Sequence, residues 1–260
     1  MIDTHCHFDF PPFSDDPERA LTLAKAAGVK QIVIPSVGQS NWHNIEQLCQ
    51  HHHELYYGLG IHPFFSAEHS DDVCIQLEHA LARVLKQSHL KCVAIGECGL
   101  DFALAEFDRQ QQLFWLTKQL KLANTYHLPV ILHCRKAFPE LLRAIKADMP
   151  SQGGVYHGFS GSYQQASQLL DLGIKIGVGG TITYERAKKT RETIRKLPMS
   201  AIVLETDAPD MPICGFQGEP NRPERLIYIA QSVALLKGIE IADVIGATTL
   251  TAHELFKIPS

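Results

Sequence analysis

The feature that most constrains the fold of this 260-residue chain is a regular alternation of short apolar runs with longer amphipathic stretches. Apolar runs at 2–8, 31–35, 55–62, 92–97, 129–133, 154–157, 174–178 and 202–207 predict eight strands. Helical periodicity predicts α-helices over 16–28, 41–52, 72–88, 107–127, 138–147, 163–172, 187–197 and 222–237, with a closing helix over 241–256. Strands that read as continuous apolar runs belong to parallel sheets covered on both faces. Eight strand–helix units fit a (β/α)8 TIM barrel, whose active sites lie at the C-terminal ends of the strands. The competing arrangement is an open doubly wound sheet, but no Gly-x-Gly-x-x-Gly follows the first strand. No linker, charge block or low-complexity segment interrupts the pattern, so residues 1–260 are expected to form a single domain.

Composition narrows the class. Hydrophobic residues make up 45% and charged residues 20%, enough apolar material for a sizeable core. No apolar run approaches the ~18 residues of a membrane span. The N-terminus carries Asp3, His5 and His7 where a secretory leader would be basic and then apolar. A cytoplasmic protein without a membrane partner is therefore expected. The seven cysteines form no Cys-x-x-Cys pair and fit free thiols in a reducing compartment. A net charge of −4 gives no global basic field for nucleic acid, so such a partner would need a local patch.

The strand ends carry the chemistry. His5 and His7 are spaced i, i+2 and share one face of the first strand, with Cys6 on the other. Alone, a His-x-His is weak evidence. Yet the fourth strand ends at Glu97, the fifth at His133, the sixth at His157 and the eighth at Asp207. The intervals from His7 onward correspond to roughly three, one, one and two βα units of about 30 residues. Residues able to bind metal thus recur at one structural phase. Four imidazoles and two carboxylates can hold two divalent ions, with Glu97 as a candidate bridge. Such a pair generates a nucleophile from water at neutral pH and steadies attacking and leaving oxygens. Asp207 could ligate one ion and take the proton from water. Glu205, two residues earlier, could be a further ligand, a residue that orients one, or an interior carboxylate satisfied by hydrogen bonds.

These residues carry a resemblance. Met1–His7, Gly60–Pro63, Gly96–Asp101, Ile131–His133, His157–Gly161 and Leu204–Pro209 resemble, in order along the whole chain, the motif series of the TatD family of metal-dependent hydrolases. Phe8–Pro12 and Gly215–Pro223 are most similar to its YjjV-type branch. The resemblance implies an amidohydrolase-like barrel, a divalent-metal site made by His5, His7, Glu97, His133, His157 and Asp207, and deoxyribonuclease activity. Cys98 departs from the family pattern, where an apolar residue is common, and by alternation should point away from the metals.

Three functions follow. The leading one is a phosphodiesterase acting on a single-stranded DNA end with two divalent metal ions, Zn²⁺, Mn²⁺ or Mg²⁺. The second is a small-molecule hydrolase, cleaving an amide, lactone or phosphoester with the same centre. The third is a catalytically silent metal-binding protein. Candidate substrate residues are His62, Arg135 and Glu205, with Lys136 and the cluster Arg186, Lys188, Lys189 and Arg191 available for phosphate. Asp101 is expected in a loop, orienting a ligand or capping a helix, and Phe64 and Phe65 as base-stacking or loop-core residues. His43, His51, His52, His53, His69, His79 and His89 are expected at the surface, and Cys6, Cys92, Cys98 and Cys134 as small apolar fillers.

Overall fold

The structure is a computed structural model and describes residues 1–70, 72–87, 91–103 and 108–259. The expected helix limits at Ser88 and Phe107, and His89, lie outside these residues. Among the described residues there are eight strands: β1 (Ile2–Asp3), β2 (Gln31–Pro35), β3 (Leu55–Leu59), β4 (Cys92–Asp101), β5 (Val130–Arg135), β6 (Gly154–Tyr156), β7 (Ile174–Val178) and β8 (Ile202–Leu204). They alternate with helices α1 (Pro17–Ala26), α2 (Gln39–His51), α3 (Val73–Val84), α4 (Arg109–Tyr126), α5 (Phe138–Ala147), α6 (Tyr163–Leu170), α7 (Lys188–Lys196) and α8 (Leu226–Lys237), and α9 (Ile241–Phe256) closes the chain. The sheet order is the chain order, β1 to β8. A doubly wound sheet would reverse at a switch point, so this order selects the (β/α)8 topology. No helix among the described residues is long and apolar enough to cross a membrane.

Two strand limits differ from the sequence expectation in ways that matter. β1 ends at Asp3, short of His5 and His7, because beyond it only an isolated bridge, Cys6 to Ala208, continues the pairing. β4 runs four residues further than expected. Asp101 is its last residue rather than part of a loop, because Gly99, Leu100 and Asp101 pair with His133, Cys134 and Arg135.

The chain divides into two compact units. The first comprises residues 1–34, 157–171 and 175–260. In it β1 pairs with β2 in parallel, Ile2 opposite Gln31 and Asp3 opposite Ile32, and β7 pairs with β8. Thr4 donates both its N–H and its hydroxyl to the Leu204 carbonyl, 3.0 and 2.9 Å away. Phe8 and Phe13 stack at 5.4 Å in the core, and α8 and α9 bury Ile229, Val233 and Val244. Helix α1 starts where Asp16 accepts the Arg19 N–H and Pro17 follows, and it stops before Gly28, whose φ is +86°.

The second unit comprises residues 35–156 and 172–174 and carries the parallel ladder β3–β4–β5–β6. Its register shifts between Ile95 and Cys98, so Glu97 sits in a bulge, a device that re-aims a side chain. Gly99 lies opposite His133 with φ +151°, and a Cβ there would collide with the His133 carbonyl, so only glycine permits this approach. Two fully buried glutamines on α4 hold the strand ends. Gln112 accepts the Asp101 N–H at 2.8 Å and donates to the Asp101 carbonyl at 3.0 Å. Gln119 does the same for Ile61, at 2.7 and 3.1 Å.

Each glutamine therefore satisfies backbone groups that no strand partner reaches. Gln119→Leu is expected to lower stability in urea unfolding by about 1–3 kcal/mol for each orphaned group, despite its more apolar side chain. An unchanged or raised midpoint would show that these backbone groups find other partners.

Candidate metal centre

In the first unit the segments that follow β1 and β8 run side by side. Asp207 donates its N–H to the His5 carbonyl, and His7 donates its own to the Ala208 carbonyl, both at 2.8 Å. This pairing turns His5 and His7 toward Asp207, whose Oδ1 lies 3.4 and 3.8 Å from their Nε2 atoms. Two imidazole nitrogens converge on one oxygen at separations beyond a good hydrogen bond, spacing that suits a shared cation. Asp207 has φ +55°, a left-handed conformation that aspartate tolerates better than most residues. His157, the residue after β6, stacks on His5 with ring centroids 4.0 Å apart.

Two buried carboxylates support this group. Asp3 accepts the Thr206 N–H at 2.9 Å, the Thr206 hydroxyl at 2.6 Å and the His5 N–H at 3.3 Å. Burial pushes its carboxyl up to about 7, against the lowering effect of those bonds. Glu205 is fully buried, and its Oε1 accepts the Gly158 N–H. Its Oε2 has no hydrogen-bond partner among the described residues. Burial pushes this carboxyl up to about 8, while His157 and the Gly158 N–H pull the other way. Gly177 leaves the space it needs, since a Cβ there would meet Glu205 Oε2 and the His157 Cα. One atom each of His5, His157 and Glu205 lies within 4.8 Å of the others, a grouping able to hold an ion.

In the second unit Glu97 is almost wholly buried, and its Oε1 faces two imidazoles, His62 Nε2 at 3.1 Å and His133 Nδ1 at 3.0 Å. The other ring nitrogen of His133 lies 3.3 Å from Asp101 Oδ2. Burial raises the Asp101 carboxyl, but the bonds from His133 and the Ala103 N–H outweigh it and hold the group below the usual carboxylate range. With the proton of a neutral His133 ring on Nε2, donated to the ionised Asp101, the Nδ1 lone pair faces Glu97. Two lone pairs 3.0 Å apart fit a cation better than they fit each other. Asp101 thus orients His133 as carboxylates behind metal-binding histidines commonly do. The donor set of imidazoles and carboxylates suits zinc and neighbouring transition metals.

The remaining expectations divide. Arg135 ends β5 with an exposed side chain, and Lys188 and Lys189 are exposed in the first turn of α7. Arg191 instead turns inward to the Ile182 carbonyl, 2.6 Å away, and Arg186 lies over the Tyr184 ring. Phe64 is exposed, while Phe65 packs edge-on against His62. His69 is not a surface residue: it is half-buried, contacts the His62 carbonyl at 3.0 Å and packs on Trp115. Cys6, Cys92 and Cys98 are buried, and all seven cysteines are free. Three functional positions escaped sequence reading. Asp3 looked like an ordinary strand polar residue, and Gln112 and Gln119 like polar residues of an amphipathic helix. The one available signal was their i, i+7 spacing on the core face of α4.

Comparison with known proteins identifies the family. The family model described as TatD related DNase matches residues 2–257. The chain is 47% identical over 261 residues to YjjV of Escherichia coli K12, described as an uncharacterized metal-dependent hydrolase, covering 100% of this chain and 98% of that one. It is 32% identical over 263 residues to a protein of Erwinia amylovora named 3'-5' ssDNA/RNA exonuclease TatD, covering 98% and 99%. The crystal structure of the E. coli YjjV protein superposes with a TM-score of 0.95 at 46% identity, covering 100% of this chain and 98% of that one.

The buried Asp3–Thr206 pair is expected to be energetically coupled. In a double-mutant cycle of Asp3→Ala and Thr206→Val, each single change should destabilise the protein, with a coupling energy of about 1–3 kcal/mol. Additive effects would mean that the carboxylate does not tie the two segments together.

Proposed function

The chain belongs to the TatD-related DNase family, and from that premise we propose that it is a divalent-metal-dependent hydrolase that cleaves phosphodiester bonds at the ends of single-stranded DNA. His5, His7, His157 and Asp207 from the first unit, and Glu97 and His133 from the second, are the residues that would hold the cations. The observation that carries the reading is the facing of imidazole nitrogens and carboxylate oxygens in each group, above all His133 Nδ1 against Glu97 Oε1. Divalent cations held there supply Lewis-acid charge, which acidifies water and neutralises charge on phosphate oxygens.

The chain's own residues supply the rest. Asp207, partly exposed and facing two imidazoles, is the candidate to accept the proton of the attacking water. Glu205 holds the His157–Gly158 turn through the Gly158 N–H and so orients His157. Arg135, Lys188 and Lys189, whose side chains are exposed, are the candidates to meet phosphates flanking the scissile bond. The exonuclease name of the Erwinia relative supports a single-stranded nucleic acid as substrate. The free cysteines support a reducing, cytoplasmic setting.

The deciding experiment is an activity screen of metal-reconstituted protein against single-stranded DNA, RNA and a panel of small phosphoesters, lactones and amides. Strand-end cleavage that a chelator abolishes is expected. Turnover of small esters or amides alone would replace the nuclease reading with a small-molecule hydrolase, and no turnover of anything would favour a silent metal-binding protein.

Glu97 and Asp207 are expected to behave differently. Glu97→Gln should lose bound metal, because Asp101, the other carboxylate against His133, is engaged in holding that ring. Asp207→Asn keeps an oxygen ligand but no base, so metal should be largely retained and turnover fall by about 10²–10⁴-fold. Equal metal loss in both would reduce Asp207 to a ligand.

If phosphates meet the basic side chains, the Michaelis constant for a short single-stranded oligonucleotide should rise with salt, as each contact releases condensed counterions. Lys188→Ala/Lys189→Ala should flatten that slope and leave hydrolysis of a small phosphodiester unchanged. The same slope in both proteins would take the lysines out of the substrate path.

A further inference from the structure

We infer that His62 is a positioning residue rather than a metal ligand: its ring is locked with the proton on Nε2, which it donates to Glu97 Oε1. The inference deepens the proposed function and rests on it only for the role of Glu97.

The argument runs through the hydrogens. The N–H of Phe64 points at His62 Nδ1 from 3.0 Å. A backbone amide can only donate, so Nδ1 is an acceptor and carries no proton. The proton of the neutral ring then sits on Nε2, 3.1 Å from Glu97 Oε1, and makes a hydrogen bond to the carboxylate. A protonated nitrogen has no lone pair left for a cation. His133 approaches the same carboxylate oxygen through Nδ1 and has Asp101, not a backbone N–H, at its other ring nitrogen. His62 thus orients Glu97 and His133 is the ligand of the pair, although sequence type and distance alone would class both as ligands.

The local fold fixes this ring from several sides. His62 is buried, and its backbone N–H donates to the Val37 carbonyl at 2.9 Å. Its carbonyl meets His69 Nε2 at 3.0 Å, and Gln119 holds both backbone groups of the preceding Ile61. Phe65 packs against the ring from one side and His133 from another, with centroids 5.7 and 4.5 Å away. Pro63 opens the short 3₁₀ turn Pro63–Glu68, which brings the Phe64 N–H back onto Nδ1.

Two measurements test the inference. Long-range ¹H–¹⁵N spectra of the metal-free protein should show His62 with a bare Nδ1 and a protonated Nε2. A protonated Nδ1 would overturn the proposal whatever the protein hydrolyses. The second measurement is Mn²⁺ binding by calorimetry. His62→Ala should weaken it by about 10–100-fold, as losing a hydrogen bond behind a ligand does. His62→Gln, which keeps a side-chain N–H near Nε2, should recover most of the affinity. If His62→Gln binds as poorly as His62→Ala and loses one equivalent of metal, His62 is a ligand and the proposal fails. If neither variant changes affinity, the bond to Glu97 has no positioning role. Absence of Mn²⁺ binding in the unmodified protein would refute the proposed metal-dependent function and the role of Glu97 in it, leaving the spectra to decide the tautomer.

Discussion

Past the last residues of β1 and β8, where regular strand structure ends, two segments continue side by side, and a carboxylate with no exposure to solvent holds them there. Asp3 receives three hydrogen bonds, two of them from Thr206 across the pair and one from the His5 N–H. A buried carboxylate without such bonds would cost several kcal/mol. Here the cost is offset by tying together the two stretches that carry His5, His7 and Asp207. The backbone pairing of His5 with Asp207 and His7 with Ala208 then follows, and with it the convergence of two imidazoles on one carboxylate oxygen. Thr206 does a second task, accepting the Ala208 N–H at 3.2 Å just after the left-handed turn at Asp207.

The second unit solves a similar problem by other means. Glu97 lies in a bulge of β4, which re-aims its side chain out of the regular ladder. Its direction is set by side chains: His62 on one side, itself fixed by a backbone N–H, and His133 on the other, fixed by Asp101. Behind them Gln112 and Gln119 hold the backbone of Asp101 and Ile61. The layers are consecutive: a helix glutamine fixes a strand end, the strand end fixes an orienting group, and that group fixes a residue with a lone pair to offer. A site built this way changes geometry when any layer is lost, including those that never touch substrate.

How much of this the sequence disclosed depends on the kind of information involved. Strands at 31–35 and 174–178 and helices at 138–147 and 241–256 were legible to the residue, because apolar periodicity marks them locally. The phase of His5, Glu97, His133, His157 and Asp207 was legible too, since each stands at or just past the end of its apolar run. The position of Asp101 was not. Whether β4 stops at Glu97 or runs on depends on pairing with β5, and only Gly99, which permits the close approach to His133, hinted at it. Asp3 and Gln119 were illegible for a related reason. Their partners are Thr206 and Ile61, and a hydrogen bond across 203 or 58 residues leaves no periodic trace. His69 looked like a solvated loop histidine until the turn that carries it was seen folded onto Trp115.

The electrostatics of the first unit bear on what the centre can accept. Burial raises the proton affinity of Asp3 and of Glu205, the nearby Asp207 raises it further for both, and Asp3 adds to it for Glu205. A chain of net charge −4 with such a cluster repels a polyanion unless positive charge intervenes. Lys188, Lys189 and Arg135 are exposed single charges, which salt screens over about 8–10 Å. They can guide flanking phosphates but cannot offset buried carboxylates at the reacting bond. Divalent cations are often the largest local charges in such a site and reverse its preference for protons. The gathering of carboxylates is thus an argument for cations at this centre, which would supply the positive charge that the phosphate of the proposed reaction requires.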